Sequence, residues 1–382
     1  EVFVEIKNSK LQPGPVAFPK GMSLKRQSRL LLESIKNAEA ATHYEHAVTD
    51  YAQLVKLDAK TPEDFLFLHG RALYHAHDGE AARVQLAAYM KQSGQSGAHY
   101  KEALNLYVKC EKRLRSAPEN ASMERPFENS LGMKFVPVPG ADVLFSIWET
   151  RVRDFEAFSA ATGHDATEGV YSLGAQTGHT WENPGFQQSP DHAVCGVSWE
   201  DAQSFCKWLT DSERKAGRIP VGARYRLPRD EEWSKAVGLQ QESGSTPRAR
   251  NMKIKNVYPW GPNFPPPVRS GNYAGSEASN ADWPDFYKTI DGYRDLDARV
   301  AAVGSYAANE FGVYDLGGNV WEWCEDWIDP ATRKHRVKRG GCWSHHVSPS
   351  YTLLSSFRRG GQPSARATST GFRAVLDSVP SH

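Results

Sequence analysis

Gly312–Trp327 reads GVYDLGGNVWEWCEDW. Two acids, Asp315 and Glu322, flank a glycine turn at Gly317-Gly318, and Trp321, Trp323 and Trp327 follow within the same stretch. Such a turn has two uses. Its acids can cap backbone amides. Alternatively, its glycines can let carbonyl oxygens point inward beside the carboxylates, an all-oxygen arrangement of the kind a hard cation prefers. The tryptophans are the first sign of the fold. The chain holds 11 of them with 31 glycines and 23 prolines, and most of the rings lie beyond residue 145. That mixture predicts a loop-rich α+β domain whose large rings fill the core between irregular segments.

Outward from this stretch, the same local grammar repeats. NSLGMKFVPVPG (129–140) is an alternating strand closed by a turn. FSIWETRVRDFEAF (145–158) passes from a strand into a helix carrying Val152, Phe155 and Phe158 at helical spacing. In HAVCGVSWEDAQSFCKWL (192–209), Val194 to Val197 reads as a short strand and Ser198 with Asp201 as a capping box. Ala202, Phe205, Cys206 and Leu209 then form a buried stripe. YRLPRDEEWSKAVG (225–238) gives a strand at Tyr225 to Leu227, a cap at Asp230 and a helix burying Trp233, Ala236 and Val237. YPWG (258–261), RVKRGGCW (336–343) and TGFRAV (370–375) complete the set.

The 382 residues allow two or three domains and a sizeable core. Residues 1–22 open with an alternating VFVEI and continue through LQPGPVAFPKG, which predicts an extended arm. Residues 23–116 read as helical, with almost no glycine or proline inside the periodic segments. Thr61-Pro62-Glu63-Asp64 predicts a helix start, with Thr61 as cap and Pro62 in the first turn, followed by a stripe of Phe65, Leu68, Ala72 and Leu73. A second helix beginning near Glu80 places Ala81, Val84, Ala88 and Tyr89 on one side. A third carries Tyr100, Ala103, Leu104, Tyr107 and Val108. Paired amphipathic helices of this kind resemble tetratricopeptide-like repeats, and a plain helical bundle accounts for them equally well. Residues 117–128 form a polar linker, and 129–377 one large domain.

Composition narrows the function classes. Lys+Arg number 46 against 45 Asp+Glu, a net charge of +1, so neither nucleic acid nor a membrane surface is an expected partner. No apolar run approaches the ~20 residues that span a bilayer. The first residue is Glu1 rather than Met, which points to a processed or truncated product. The five cysteines, Cys110, Cys195, Cys206, Cys324 and Cys342, form no CxxC and are too few for a disulfide-stapled scaffold. Histidines at 43, 46, 69, 75 and 77 are read as ordinary surface or core residues. His75 and His77 cannot share a helix face, and no acid completes a ligand pattern.

Taken in order, NSLGMKFVPVPG, VSWEDAQSFCKWL, YRLPRDEEW, YPWG, GVYDLGGNVWEWCEDW, RVKRGGCW and GFRAV resemble the formylglycine-generating enzyme, or sulfatase-modifying-factor, family. The match covers about 250 residues and says nothing of 1–128. The resemblance implies a C-type-lectin-like α+β fold with little regular secondary structure. It implies calcium at Asp315, Gly318, Val320 and Glu322, and a second calcium at Asn272, Tyr273, Asp291 and Tyr293, with Gly318, Val320, Tyr273 and Tyr293 acting through their carbonyls. It also implies a catalytic position, and there the chain departs. Family oxidases hold Cu(I) on two cysteines five residues apart. Counted from Gly340-Gly341, those positions are His345 and Ser350. A histidine and a serine do not replace a soft thiolate pair, so bound copper is not expected. Positions that carry disulfide cysteines in some family members are Ser355 and Ala374, leaving Cys206 as a buried small hydrophobe. Cys342 is the nearby thiol. Packing beside Trp343 is its simpler role, and Arg336, Lys338, Arg339, His345 and His346 could supply the charge for a reactive one.

In this fold the surface near SSFRRGGQPSARATSTGFR (355–373) is the ligand-facing groove. Trp343, His345, His346, Tyr351, Arg358, Arg359 and Arg366, with Arg373, are candidates to bind an anionic or peptide ligand through bidentate bonds; a solvated basic rim is the other reading. The functional expectation is a non-oxidase pseudoenzyme. It would be a calcium-stabilised binding or scaffold module, with a protein partner on the helical region and an extracytoplasmic bacterial setting. The alternatives are an enzyme of the wider family with other metal chemistry, such as the non-haem iron enzymes that form carbon–sulfur bonds or the periplasmic enzymes of siderophore maturation. A true formylglycine-generating oxidase comes last.

Overall fold

The computed structural model describes residues 16–57, 61–115, 117–172, 175–176, 178–239, 241–280, 289–344 and 350–377. The chain divides into two compact units, 1–116 and 117–382. Most of the expected arm, including VFVEI, lies outside the described residues; Val16 and Phe18 pack on the first helical core.

From Leu24 onward the described part of the first unit is a run of helices joined by short turns. Helices α1 (Leu24–Ala40), α2 (Tyr44–Lys56), α3 (Phe65–His75), α4 (Gly79–Ser93) and α5 (Tyr100–Arg115) pack in succession, α1 on α2, α3 on α4 and α4 on α5. Helix α3 serves two cores. Phe65 and Ala72 join Leu31, Ile35, Tyr51 and Leu54, whereas Phe67 and Leu73 join Leu86, Tyr89, Ala103 and Cys110. Its start is Asp64, one turn later than Thr61-Pro62 suggests. Two expected stripes are out of phase with the observed burial. On α4 the buried residues are Ala82, Leu86 and Tyr89, while Val84 is exposed. On α5 they are Ala103, Leu106 and Cys110, while Leu104 and Val108 are exposed. The buried side of each helix is the one that faces its neighbours: Leu86 and Tyr89 on α4 and Leu106 and Cys110 on α5 share one core with Phe67 and Leu73 of α3.

The second unit begins with residues expected to be a linker. Phe127 instead opens β1 (Phe127–Glu128) and is buried in the main core. Next come β2 (Lys134–Pro137), β3 (Leu144–Ser146), α6 (Val152–Thr162), β4 (Val170–Ser172), β5 (Ala175–Gln176), α7 (Trp199–Lys215), β6 (Arg224–Arg226), α8 (Asp230–Ala236) and α9 (Pro247–Arg250). After a long irregular stretch come β7 (Trp321–Trp327), β8 (Arg336–Arg339), β9 (Arg359–Gly361), β10 (Arg366–Ala367), β11 (Thr370–Phe372) and β12 (Val375–Asp377). The strands make three small sheets: β1-β2-β3-β12-β6, β11-β7-β8-β9 and β10-β4-β5. This is the expected mixed α+β architecture with short, scattered strands.

Local signals hold where the chain caps itself. Asp201 N donates to Ser198 Oγ at 3.1 Å and Ser198 N to Asp201 Oδ2 at 2.8 Å, the reciprocal box that starts α7. Val194 to Val197 is buried but forms no strand, because Val194 N bonds Thr150 O from a loop. Asp230 is not the cap of α8. Arg229 occupies that position, and Glu232 accepts its backbone N–H at 2.7 Å. Trp233, Trp321, Trp323 and Trp343 are fully buried, as the composition implies. Each such ring removes about 150–250 Å² from water, worth at most roughly 4–6 kcal/mol. Among the described residues no helix is long and apolar enough to cross a membrane.

Candidate functional site

The glycine turn of GVYDLGGNVWEW docks onto two other segments. Gly318 N donates to Gly340 O at 3.0 Å, Trp343 N to Asn319 O at 2.8 Å, and Asn319 N to Asn272 O at 2.8 Å. Position 318 requires glycine twice over: its φ is +86°, and a Cβ would collide with the carbonyl of Asn272. Asp315 and Asn319 also take left-handed backbone, at φ 57° and 53°. The two expected calcium segments therefore abut one another, with Asn272 paired to Gly318 as an isolated bridge.

Carboxylates crowd this turn. Glu322 accepts from Arg373 Nη2 at 2.7 Å and from Trp233 Nε1 at 2.9 Å. Asp315 Oδ2 accepts from Gly304 N at 2.6 Å, and Glu149 Oε1 from Asn319 Nδ2 at 3.2 Å. That leaves Asp315 Oδ1 and Glu149 Oε2 buried without a donor. Burial raises the pKa of both acids; neighbouring charge adds to this at Glu149, and Asp315 reaches about 6. A cation fits that pair of bare oxygens better than it fits Glu322, whose charge Arg373 already neutralises. At the second segment Asn272 Oδ1 is likewise bare, whereas Asp291 is exposed. The carbonyls of Tyr273 and Tyr293 accept from Gly275 N at 2.7 Å and Ser276 N at 3.0 Å. Among the described residues no three His, Cys, Asp or Glu side chains are arranged to hold a metal ion, so a cation here would depend on backbone and amide oxygens as well.

The structure separates the groove candidates. His345 and His346 lie outside the described residues, and Ser350 opens a short 3-10 turn, Ser350–Leu353. Trp343 does not line a surface: it is 1% exposed, and its Nε1 donates to Thr368 O at 3.1 Å. Arg358 is equally internal, bonded to Asp230 Oδ1 at 2.9 Å and Glu242 Oε1 at 2.7 Å. Arg373 is held by Glu322, and Arg366 by Asp201 at 2.7 Å. Bidentate recognition needs free guanidinium donors, and these three are bound to acids of the same chain. Tyr351 and Arg359 stay exposed. Cys342 is buried, and burial raises its pKa despite the Ser344 hydroxyl and the charges of Arg359 and Lys338, so it does not present a thiolate. Of the cations expected beside it, Arg336 lies between the rings of Trp199 and Trp327, at 3.7 and 3.6 Å. Arg339 pairs with Asp230 at 2.5 Å. Glu149 went unrecognised in the sequence: it and Asn319 are 170 residues apart, and no spacing rule joins them.

Two of the helical histidines stack on tyrosine rings. His69 stacks on Tyr51 with centroids 5.0 Å apart, and His75 on Tyr44 at 4.6 Å.

Comparison with known proteins places these features. A family model described as "Sulfatase-modifying factor enzyme 1-like domain" matches residues 141–378. The formylglycine-generating enzyme of Bos taurus is 29% identical over 223 residues, covering 53% of this chain and 50% of that protein. A Mus musculus protein named inactive C-alpha-formylglycine-generating enzyme 2 is 31% identical over 203 residues, covering 51% and 54%. The chain thus spans about half the length of the curated relatives it matches. The solved structure of PvdO from Pseudomonas aeruginosa aligns at 20% identity with a TM-score of 0.44, covering 68% of this chain and 88% of that one.

Proposed function

Because the chain belongs to the sulfatase-modifying factor enzyme 1-like domain family, we propose that it has kept the family's frame as a calcium-stabilised binding or scaffold module and does not oxidise cysteine. Relatives are named formylglycine-generating enzyme and inactive C-alpha-formylglycine-generating enzyme 2, so membership alone does not decide between the two. The observation that carries the reading is chemical. Counted from Gly340-Gly341, the positions of the thiolate pair are His345 and Ser350. The thiol nearest to them in sequence, Cys342, is buried with its pKa raised. One buried thiol cannot grip Cu(I) between two sulfurs.

The calcium part of the reading is supported by the bare oxygens of Glu149, Asp315 and Asn272 around the turn. A hard cation held there would tie the loops that carry 272, 315–319 and 149 into one rigid piece. Its role would be to fix the display surface; no reaction step passes through it. The helical unit is the candidate contact for a protein partner, since Val84, Leu104 and Val108 expose apolar surface at 52%, 43% and 56%.

The test is direct. The purified chain is incubated with a cysteine-bearing peptide, copper and oxygen, and the peptide is examined by mass spectrometry. We expect no aldehyde. Conversion of the cysteine to an aldehyde at a rate above the protein-free control overturns the reading.

A further inference from the structure

Four arginines fall in the basic segment 355–373, and acids of the same chain consume three of them. Asp230 and Glu242 hold Arg358, Asp201 holds Arg366, and Glu322 holds Arg373. Arg359 is the exception: among the described residues it has no carboxylate within ion-pair distance. Its neighbour across the sheet, Lys338, has none either. The two are direct register partners on β8 and β9. Opposite positions of this kind bring side chains within about 5 Å at Cβ, and like charges placed there repel.

Both cations lie over one aromatic face. Lys338 Nζ is 4.9 Å from the ring centre of Trp323, its register partner on β7, and Arg359 Cζ is 5.8 Å from that of Trp321. The nearest acceptor of the ammonium is Thr370 Oγ1 at 3.4 Å, a long bond. Arg359 is exposed, and Lys338 is half-buried beside it. Burial, with Arg359 adding to it, holds the Lys338 amine down at about 8. A folded chain that keeps two like charges together without a counter-ion has left a place for one to be supplied.

We propose that Lys338 and Arg359 together seat an oxyanion, carboxylate or phosphate, of the ligand this module binds. The inference rests on the binding reading above and gives that ligand its chemical class. The guanidinium offers a two-pronged contact and the ammonium a point charge. Trp321 and Trp323 form the floor.

Isothermal titration of the full chain with sodium phosphate, and separately with sodium acetate, against a chloride control of matched ionic strength, tests this. Saturable binding of at least one anion is expected, and the stronger of the two identifies the ligand group. Lys338→Met keeps the stem over Trp323 and removes the charge; Arg359→Gln does the same on the exposed strand. Each should weaken binding about tenfold or more. Without anion, both variants should melt no lower than the parent, because the repulsion is gone. Equal affinity in parent and variants overturns the proposal, as does heat no greater than that of chloride for both anions. Aldehyde formation in the peptide assay would sink the non-oxidase reading and leave these measurements standing, so the two failures are separable.

Discussion

Arg358 holds Asp230 from inside the domain. Its Nε donates to Oδ1 at 2.9 Å and to Oδ2 at 3.1 Å, and neither side chain retains exposed surface. Arg339 and Arg250 close on the same carboxylate, at 2.5 and 3.2 Å. Burial by itself pushes the Asp230 pKa up, but the three guanidiniums outweigh it and the net shift is downward. The acid that opens α8 is thus the hub that locks β8 and the segment before β9 onto that helix.

Removing one member leaves a buried charge without its partner. Arg358→Met is expected to cost about 3–5 kcal/mol in a denaturant melt. An arginine on a solvated rim would change stability by no more than about 0.5 kcal/mol. A loss that small would show that the side chain faces water.

Calcium should stabilise the second unit through Glu149 and Asp315. A chelator should lower the melting temperature of the parent, and calcium should restore it. Glu149→Gln should abolish that response and leave the metal-free form at least as stable, since it removes one of three buried acids facing Arg373. A calcium response that survives in Glu149→Gln would exclude Glu149 as a ligand.

All five cysteines are buried. Burial raises the pKa of Cys195 and Cys206, to about 12 at Cys195, and raises Cys324 and Cys342 as well. A thiol reagent at pH 8 should therefore label the native chain slowly at every site and label all five thiols on unfolding. Rapid native labelling at Cys342 would restore it as a reactive group.

In the helical unit, burial holds the His69 pKa down at about 4. In the unfolded chain the imidazole titrates near 6.5. Between those values the unfolded state binds more protons, so stability is complete above 6.5 and falls as the pH drops toward 4. The shift corresponds to about 3 kcal/mol. His69→Phe should flatten that part of the acid profile of the helical unit, and an unchanged profile would count against a neutral, buried His69.

The elements were legible where a few adjacent residues decide the matter. Ser198 and Asp201 cap α7 because both sides of the bond lie within one turn. Lys134–Pro137 is the expected strand, although Phe135 and Val136 are both buried, each in a different core, so its burial does not alternate. The phases of α4 and α5 were not legible. Ala82 is buried where Val84 is not, since each helix face is chosen by its neighbours, and periodicity gives the spacing without the direction.

The same division holds at the site. The sequence by itself determined the family frame and the glycine turn at 317–318, because those are matters of residue type and local order. Only the tertiary structure decided which charges are free. Arg358 and Arg359 are neighbours in the chain, yet one is buried against Asp230 and the other stands beside Lys338 with no acid among the described residues. Charges are matched through space over a few ångströms, and segments more than a hundred residues apart supply the partners.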